Sequence, residues 1–289
     1  MKCFLLSISV FLFAPVLKAQ RLYLNIGAGI MNYGGDLQDK EFTLNQAQTA
    51  FSLGLGYKLS EHFLLNFSYV NGIVTANDQK SNAGNARRNL NFTTNINEGS
   101  LTMEAQWREI SEAGDFTPYI FAGVAVYHFN PYTFDTAGVK TYLQPLGTEG
   151  QGLPQYPDRK IYKLTQLAIP FGIGIRYAIG DRVTIGAEID FRKLFTDYLD
   201  DASSRSYADT AILRAARGSL AAELSFRGDE LKPPLTFSER IRRGNPDRND
   251  DYYTCLIKLS FALGNASLGS GNGYSKKMRK QNGCPTKVF

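Results

Sequence analysis

Eight times along this 289-residue chain, apolar and polar residues take turns at a period of two, and that alternation limits the fold more than any other feature. Side chains alternate faces along a strand, whereas a helix repeats every 3.6 residues. In the first segment Leu22, Leu24, Ile26, Ala28 and Ile30 share one face, and Tyr23, Asn25, Gly27 and Gly29 the other. The same rhythm recurs at Phe51–Leu59, Phe63–Tyr69, Leu101–Trp107, more weakly at Thr117–Phe129, and at Leu167–Tyr177, Val183–Phe191 and Tyr253–Leu263. The spacing predicts eight β-strands.

Charge decides what the polar faces meet. Glu188, Asp190 and Arg192 occupy successive positions on one face, with Glu98 and Glu104 on another strand and Arg176 on a third. Such a series does not fit an oily sandwich core unless it is tightly paired. The opposite faces are greasy and end in Tyr or Trp, as a lipid-facing band with an aromatic girdle requires. A soluble lipocalin-like barrel would reverse this arrangement. The expected fold is therefore all-β: an eight-stranded antiparallel transmembrane β-barrel of the outer membrane with long extracellular loops. Inward Gly27, Gly54, Gly56, Gly172 and Gly174 suit a lumen only wide enough for packed side chains. The connections Ser60–His62, Arg108–Asp115 and Gly180–Arg182 are short, and the remaining four are long. Short turns lie on the periplasmic side of such barrels, so both termini are expected in the periplasm. Within the last long loop, Asp209 ahead of Thr210–Ala216 predicts a short, capped helix.

Residues 1–19 read as a secretory signal: Lys2, an apolar stretch from Phe4 to Leu17, then Ala19. That stretch is short for a membrane anchor and is interrupted by Pro15. Cys3 precedes the apolar stretch, so no lipobox is present. The expected organisation is a signal at 1–19, a barrel at 20–264 and a basic periplasmic tail at 265–289. Once the signal is removed the net charge falls from +5 to +3. The tail alone carries five cations, Lys276, Lys277, Arg279, Lys280 and Lys287, and no acid. The rest is slightly acidic. A basic tail in an exported protein points to an acidic protein or anionic lipid and away from nucleic acid.

With two histidines and three cysteines, neither a His-rich metal centre nor a disulfide scaffold is expected, and no cofactor is implied. Glu98, Glu104, Arg176, Glu188, Asp190 and Arg192 form a candidate catalytic cluster by composition alone. No nucleophile–base pair accompanies them, so a lumenal polar network is the expected reading and no enzyme is foreseen. His62 falls in a short turn and His128 at a strand end, both positions for a rim role. Cys255 lies on the lipid-facing parity. Cys284 lies in the tail of an exported chain, and the residues leave open a bridge to Cys255 or to another protein. A small porin, a barrel-borne enzyme and a surface-exposed binding barrel are the rival functions.

Several runs resemble the PorG family of outer-membrane components of the type IX secretion system of Bacteroidota, and they span most of the chain. They are Tyr33–Leu37, Arg88–Phe92 leading to Glu98, Thr117–Tyr119 with Phe129–Pro131, Leu143–Gly152 and Cys284-Pro285. Leu143–Gly152 is the most specific of them. The resemblance implies a non-enzymatic barrel bound to a periplasmic ring of PorK-type lipoprotein and PorN-type subunits. It also implies that Cys284 bonds the ring lipoprotein, that other secretion components of the outer membrane are possible partners, and that gliding motility is a possible context. Cys255 and the extension Thr286–Phe289 depart from the family pattern.

Overall fold

The computed structural model describes residues 22–38, 40, 42–81, 83–237 and 242–263. The expected signal, Cys284 and the five tail cations lie outside the described residues. Ten strands form: β1 (Leu22–Gly34), β2 (Gln48–Lys58), β3 (Phe63–Asn77), β4 (Asn91–Gln106), β5 (Phe116–His128), β6 (Tyr132–Phe134), β7 (Lys140–Tyr142), β8 (Thr165–Ala178), β9 (Val183–Leu194) and β10 (Asp251–Ala262). Eight of them run antiparallel in chain order around a closed cylinder, and β6–β7 is a small hairpin attached to the top of β4. Closure comes from the first and last barrel strands, which pair from Tyr23 opposite Ala262 to Gly34 opposite Asp251. With every one of the eight barrel strands flanked on both sides, no backbone edge of the barrel is left to face hydrocarbon.

The alternation maps directly onto the wall. Ile120 and Val124 are each 62% exposed, while Tyr119 between the same strands is 4% exposed. Leu53, Phe67, Leu101, Ile173 and Ile257 likewise point outward. A continuous apolar exterior of this kind is foreign to a water-soluble monomer and natural in a bilayer. At the short-turn end the band finishes in Tyr57, Phe63, Trp107, Phe116 and Tyr177. At the other end it finishes in a hydrogen-bonded polar belt. Tyr69 Oη donates to Asn97 Oδ1 at 2.7 Å, Asn71 Nδ2 to the same oxygen at 3.0 Å, and His128 Nδ1 lies 2.9 Å from Thr165 Oγ1.

Beyond that belt the polarity of the wall reverses. β3 and β4 continue well past the point where greasy outward residues stop, up to the Asn77–Asn91 pair. Here most inward side chains are apolar: Val74, Ala76, Phe92 and Ile96 are buried, with Thr94 among them. The outward ones are mostly polar, Asn71, Thr75, Thr93, Asn95 and Asn97, with Ile73 between them. The upper barrel is thus packed like a water-soluble protein, and its core continues into the long loops through Tyr33, Leu37, Tyr127, Phe129, Leu143, Leu199 and Tyr252. The loops themselves hold α1 (Ala83–Ala86), α2 (Thr210–Arg217) and α3 (Ser219–Ser225). Asp209 caps α2 as its sequence predicts, accepting from the backbone N–H groups of Ala211 and Ile212.

Candidate functional site

Two polar layers lie on the axis of the cylinder, one inside the wall and one under the loops. The inner layer contains all six candidate residues. Arg192, 1% exposed, donates through Nε and Nη2 to the two oxygens of Glu98 at 3.1 and 3.2 Å. The same guanidinium holds Asp190 Oδ2 at 2.7 Å and Thr254 Oγ1 at 2.8 Å, while Tyr252 Oη donates to Glu98 at 2.5 Å. Lower down, Arg176 grips Glu104 with two bonds of 2.7 and 2.9 Å. Glu188 takes a hydrogen bond from Tyr119 Oη at 2.9 Å and an ion pair from Lys258. Lys258 is a member the sequence reading did not single out, although its inward parity on β10 marks it.

These groups fill the lumen. The inward glycines serve the same end: a Cβ on Gly174 would meet Tyr119 Cζ at 2.2 Å, and one on Gly172 would meet Phe121 Cζ at 2.5 Å. Rings from β5 therefore lie flat across glycine seats on β8. Two cavities among the described residues inside the wall each hold about 30 Å³, room for a water or two. Each of the four carboxylates is matched by a cation, and Glu98 and Glu188 by a phenol as well. The arrangement locks strands together and offers no open path.

The outer layer lies under the loops and joins residues far apart in the chain. Glu149, fully buried, accepts from the backbone N–H groups of Ser203 and Ser204, from Ser204 Oγ, and from Arg243 Nη1 at 2.6 Å. Arg243 also reaches the carbonyl of Asp201 at 2.8 Å, and the Asp201 carboxylate accepts from Tyr162 and Thr148. Arg88 pairs with both oxygens of Asp78 and donates to the carbonyls of Asp36 and Arg243. Tyr33 Oη is shared by Asp200 and Asp250. Burial pushes the carboxyls of Asp78 and Asp201 up to about 6 and that of Asp197 up to about 8. Burial and the neighbouring carboxylates push Asp200 and Asp250 well above the usual range. Arg243 is held charged by Glu149 and Asp201 against the opposing effect of burial. None of these loop contacts is spelled by a local motif. The acid-rich junctions at Asp200-Asp201 and Asp250-Asp251 were the available signal.

His62 sits in the β2–β3 turn with Nδ1 3.3 Å from the Gln106 carbonyl, and His128 stands on the outward belt. Cys255 is a free thiol on the outward face, beside an apolar recess of about 890 Å³ lined by Trp107, Ile120, Ile173 and Ile257. Among the described residues, no group of three His, Cys, Asp or Glu side chains is placed to hold a metal ion.

A closed wall with an apolar exterior, an ion-paired interior and a packed dome over one mouth defines a sealed eight-stranded membrane β-barrel. The chain belongs to the family described as a domain of unknown function, DUF6089, whose match runs over residues 2–220. No curated protein matches it. Among solved structures it is similar to Neisserial surface protein A, with 9% identity over 84% of this chain and 97% of that chain and a TM-score of 0.40. It is similar also to Ail of Yersinia pestis, with 10% identity over 84% and 97% and a TM-score of 0.37. The N-terminal β-barrel domain of OprF from Pseudomonas aeruginosa gives 11%, 83% and 96%, and 0.34.

Proposed function

We propose that this protein is a non-enzymatic component of the type IX secretion machinery of the outer membrane, a PorG-like anchor for the periplasmic ring. The observation that carries the anchor reading is the sealed lumen: a barrel packed with ion pairs and rings holds a position in a membrane without conducting through it. The secretion context rests on the sequence runs that resemble the PorG family, Leu143–Gly152 above all. Within that run Glu149 is the buried hub of the dome, which gives its residues a structural reason to be kept together.

The chain leaves β10 at the short-turn end, where Leu263 donates its N–H to the carbonyl of Leu22. With short turns in the periplasm, residues 265–289 emerge there. Their five cations then meet a ring of PorK-type lipoprotein and PorN-type subunits by charge attraction, and Cys284 forms a disulfide with the lipoprotein. The covalent bond converts a weak, salt-sensitive contact into a permanent one.

The test is non-reducing electrophoresis of membranes from wild type and Cys284→Ser. A reducible adduct present only in the wild type, identified by mass spectrometry as a periplasmic lipoprotein, is expected. Its absence overturns the covalent anchor. Planar-bilayer recording of the purified barrel separates the porin rival, for which steady ion conductance is required; none is expected here.

A further inference from the structure

The dome sorts its charges by depth. In the described parts of the four long connections, twelve Lys and Arg side chains are exposed against four acids, Asp158, Asp229, Glu230 and Asp247. Two of those four acids are already engaged, Asp247 with Arg205 and Glu230 with Arg227. Underneath, the order is opposite: six acids are buried (Asp78, Glu149, Asp197, Asp200, Asp201 and Asp250) against three arginines. The described parts of these loops, close to neutral by composition, therefore expose more cations than acids. Asp78, Glu149, Asp200, Asp201 and Asp250 draw their hydrogen-bond partners from inside the dome, so they do not require the surface cations.

The basic surface begins at the bilayer. Lys193 continues the outward row of β9 directly above Phe191, and Lys163 precedes Thr165 of the polar belt by two residues; both are exposed. By register Lys193 stands between Ile169 and Asp251 at the top of the apolar band, and Lys163 lies six residues beyond Ile169, above the belt, so the two bracket the zone where apolar surface gives way to lipid headgroups. We infer that this rim binds the phosphate groups of outer-leaflet glycolipid, with Lys163 and Lys193 as the first contacts and the cations of the loops above them meeting the rest of the anionic headgroup. Ammonium groups suit this task because they are mobile point charges that a phosphate can approach from several directions. The inference rests on the long loops facing the cell exterior, but not on the secretion assignment or on Cys284.

The experiment uses the full chain in phosphatidylcholine nanodiscs containing a minority of lipid A, either bis-phosphorylated or enzymatically dephosphorylated. Retained lipid A per barrel is read by native mass spectrometry. Wild type is expected to retain the phosphorylated form preferentially, with retention falling as salt is raised. Lys163→Gln/Lys193→Gln is expected to weaken it by roughly thirtyfold, about fivefold for each cation removed. Arg182→Gln, in the short turn between β8 and β9 at the opposite end of the barrel, should leave rim binding within about twofold of wild type. A gel shift between heated and unheated samples verifies that each variant is folded. Equal retention of the dephosphorylated lipid, or an unaltered rim variant, overturns the inference. So does capture of an acidic protein that is blocked by the rim variant while lipid retention is not. If the barrel inserts with its loops inward, protease protection of those loops in cells reveals it, whatever the lipid result.

Discussion

Arg192 shows what a single side chain does inside this wall. It sits between Glu98 and Asp190 with almost no contact with water, so its charge is the counterpart of two others. Arg192→Leu leaves two buried carboxylates without their cation and should destabilise the barrel by about 3–5 kcal/mol. Urea titration of folding into micelles, followed by tyrosine fluorescence, measures this; a loss below about 1 kcal/mol would mean water has replaced the guanidinium. At this scale the sequence tells which side chains face inward, because parity alone fixes that. It does not tell that Arg192 pairs with Glu98, which is 94 residues away and enters from another strand. The buried acids of the dome behave differently. The carboxyls of Asp78, Asp197, Asp200, Asp201 and Asp250 titrate above the unfolded value of about 4. The folded state therefore holds more protons between about pH 4 and pH 8, and stability falls as pH rises through that window. Proteolysis within residues 195–250, normalised to an unfolded substrate, should be slow near pH 5 and clearly faster near pH 9. Asp197→Asn should flatten that rise, and a wild-type profile with no pH slope would refute the argument.

At the scale of elements, β3 and β4 carry the lesson of the polarity reversal. Their lower halves follow the rule of greasy outward and polar inward, which is why the sequence reading ends the third strand near Tyr69. Their upper halves keep the period of two but exchange the faces, since water replaces lipid outside and a packed core replaces ions inside. Alternation is visible in the sequence, but which medium each face meets is not. The two halves should therefore respond oppositely to charge. Phe67→Lys places an ammonium in the lipid-facing band and should cost about 2–4 kcal/mol. Asn95→Lys, exposed and outward on β4 above the belt, should change stability by no more than about 0.5 kcal/mol. Comparable losses for both would mean that the bilayer extends over the whole hairpin. The capped helix α2 was legible because Asp209 and the run behind it form a local signal. The bonds from Ser203 and Ser204 to Glu149 were not, since loops have no periodicity to read.

For the whole molecule, three layers follow one another along the axis: an aromatic-rimmed band in lipid, an ion-paired lumen within it and a dome with its acids hidden and its bases displayed. The first could be read from the chain because it repeats; the second in part, because parity gathers charges without matching them. The third depends on long-range folding and appears only in three dimensions. The seam between the first and last barrel strands has a further consequence. A polypeptide delivered from its amino end carries one half of that seam early and receives the other half last, across more than two hundred residues. Until then the growing sheet has two raw margins, and neither can enter hydrocarbon unescorted. Insertion is therefore all-or-nothing. A chain cut short before the final strand should stay on the aqueous side, held by chaperones or destroyed, so only complete copies take their place in the membrane.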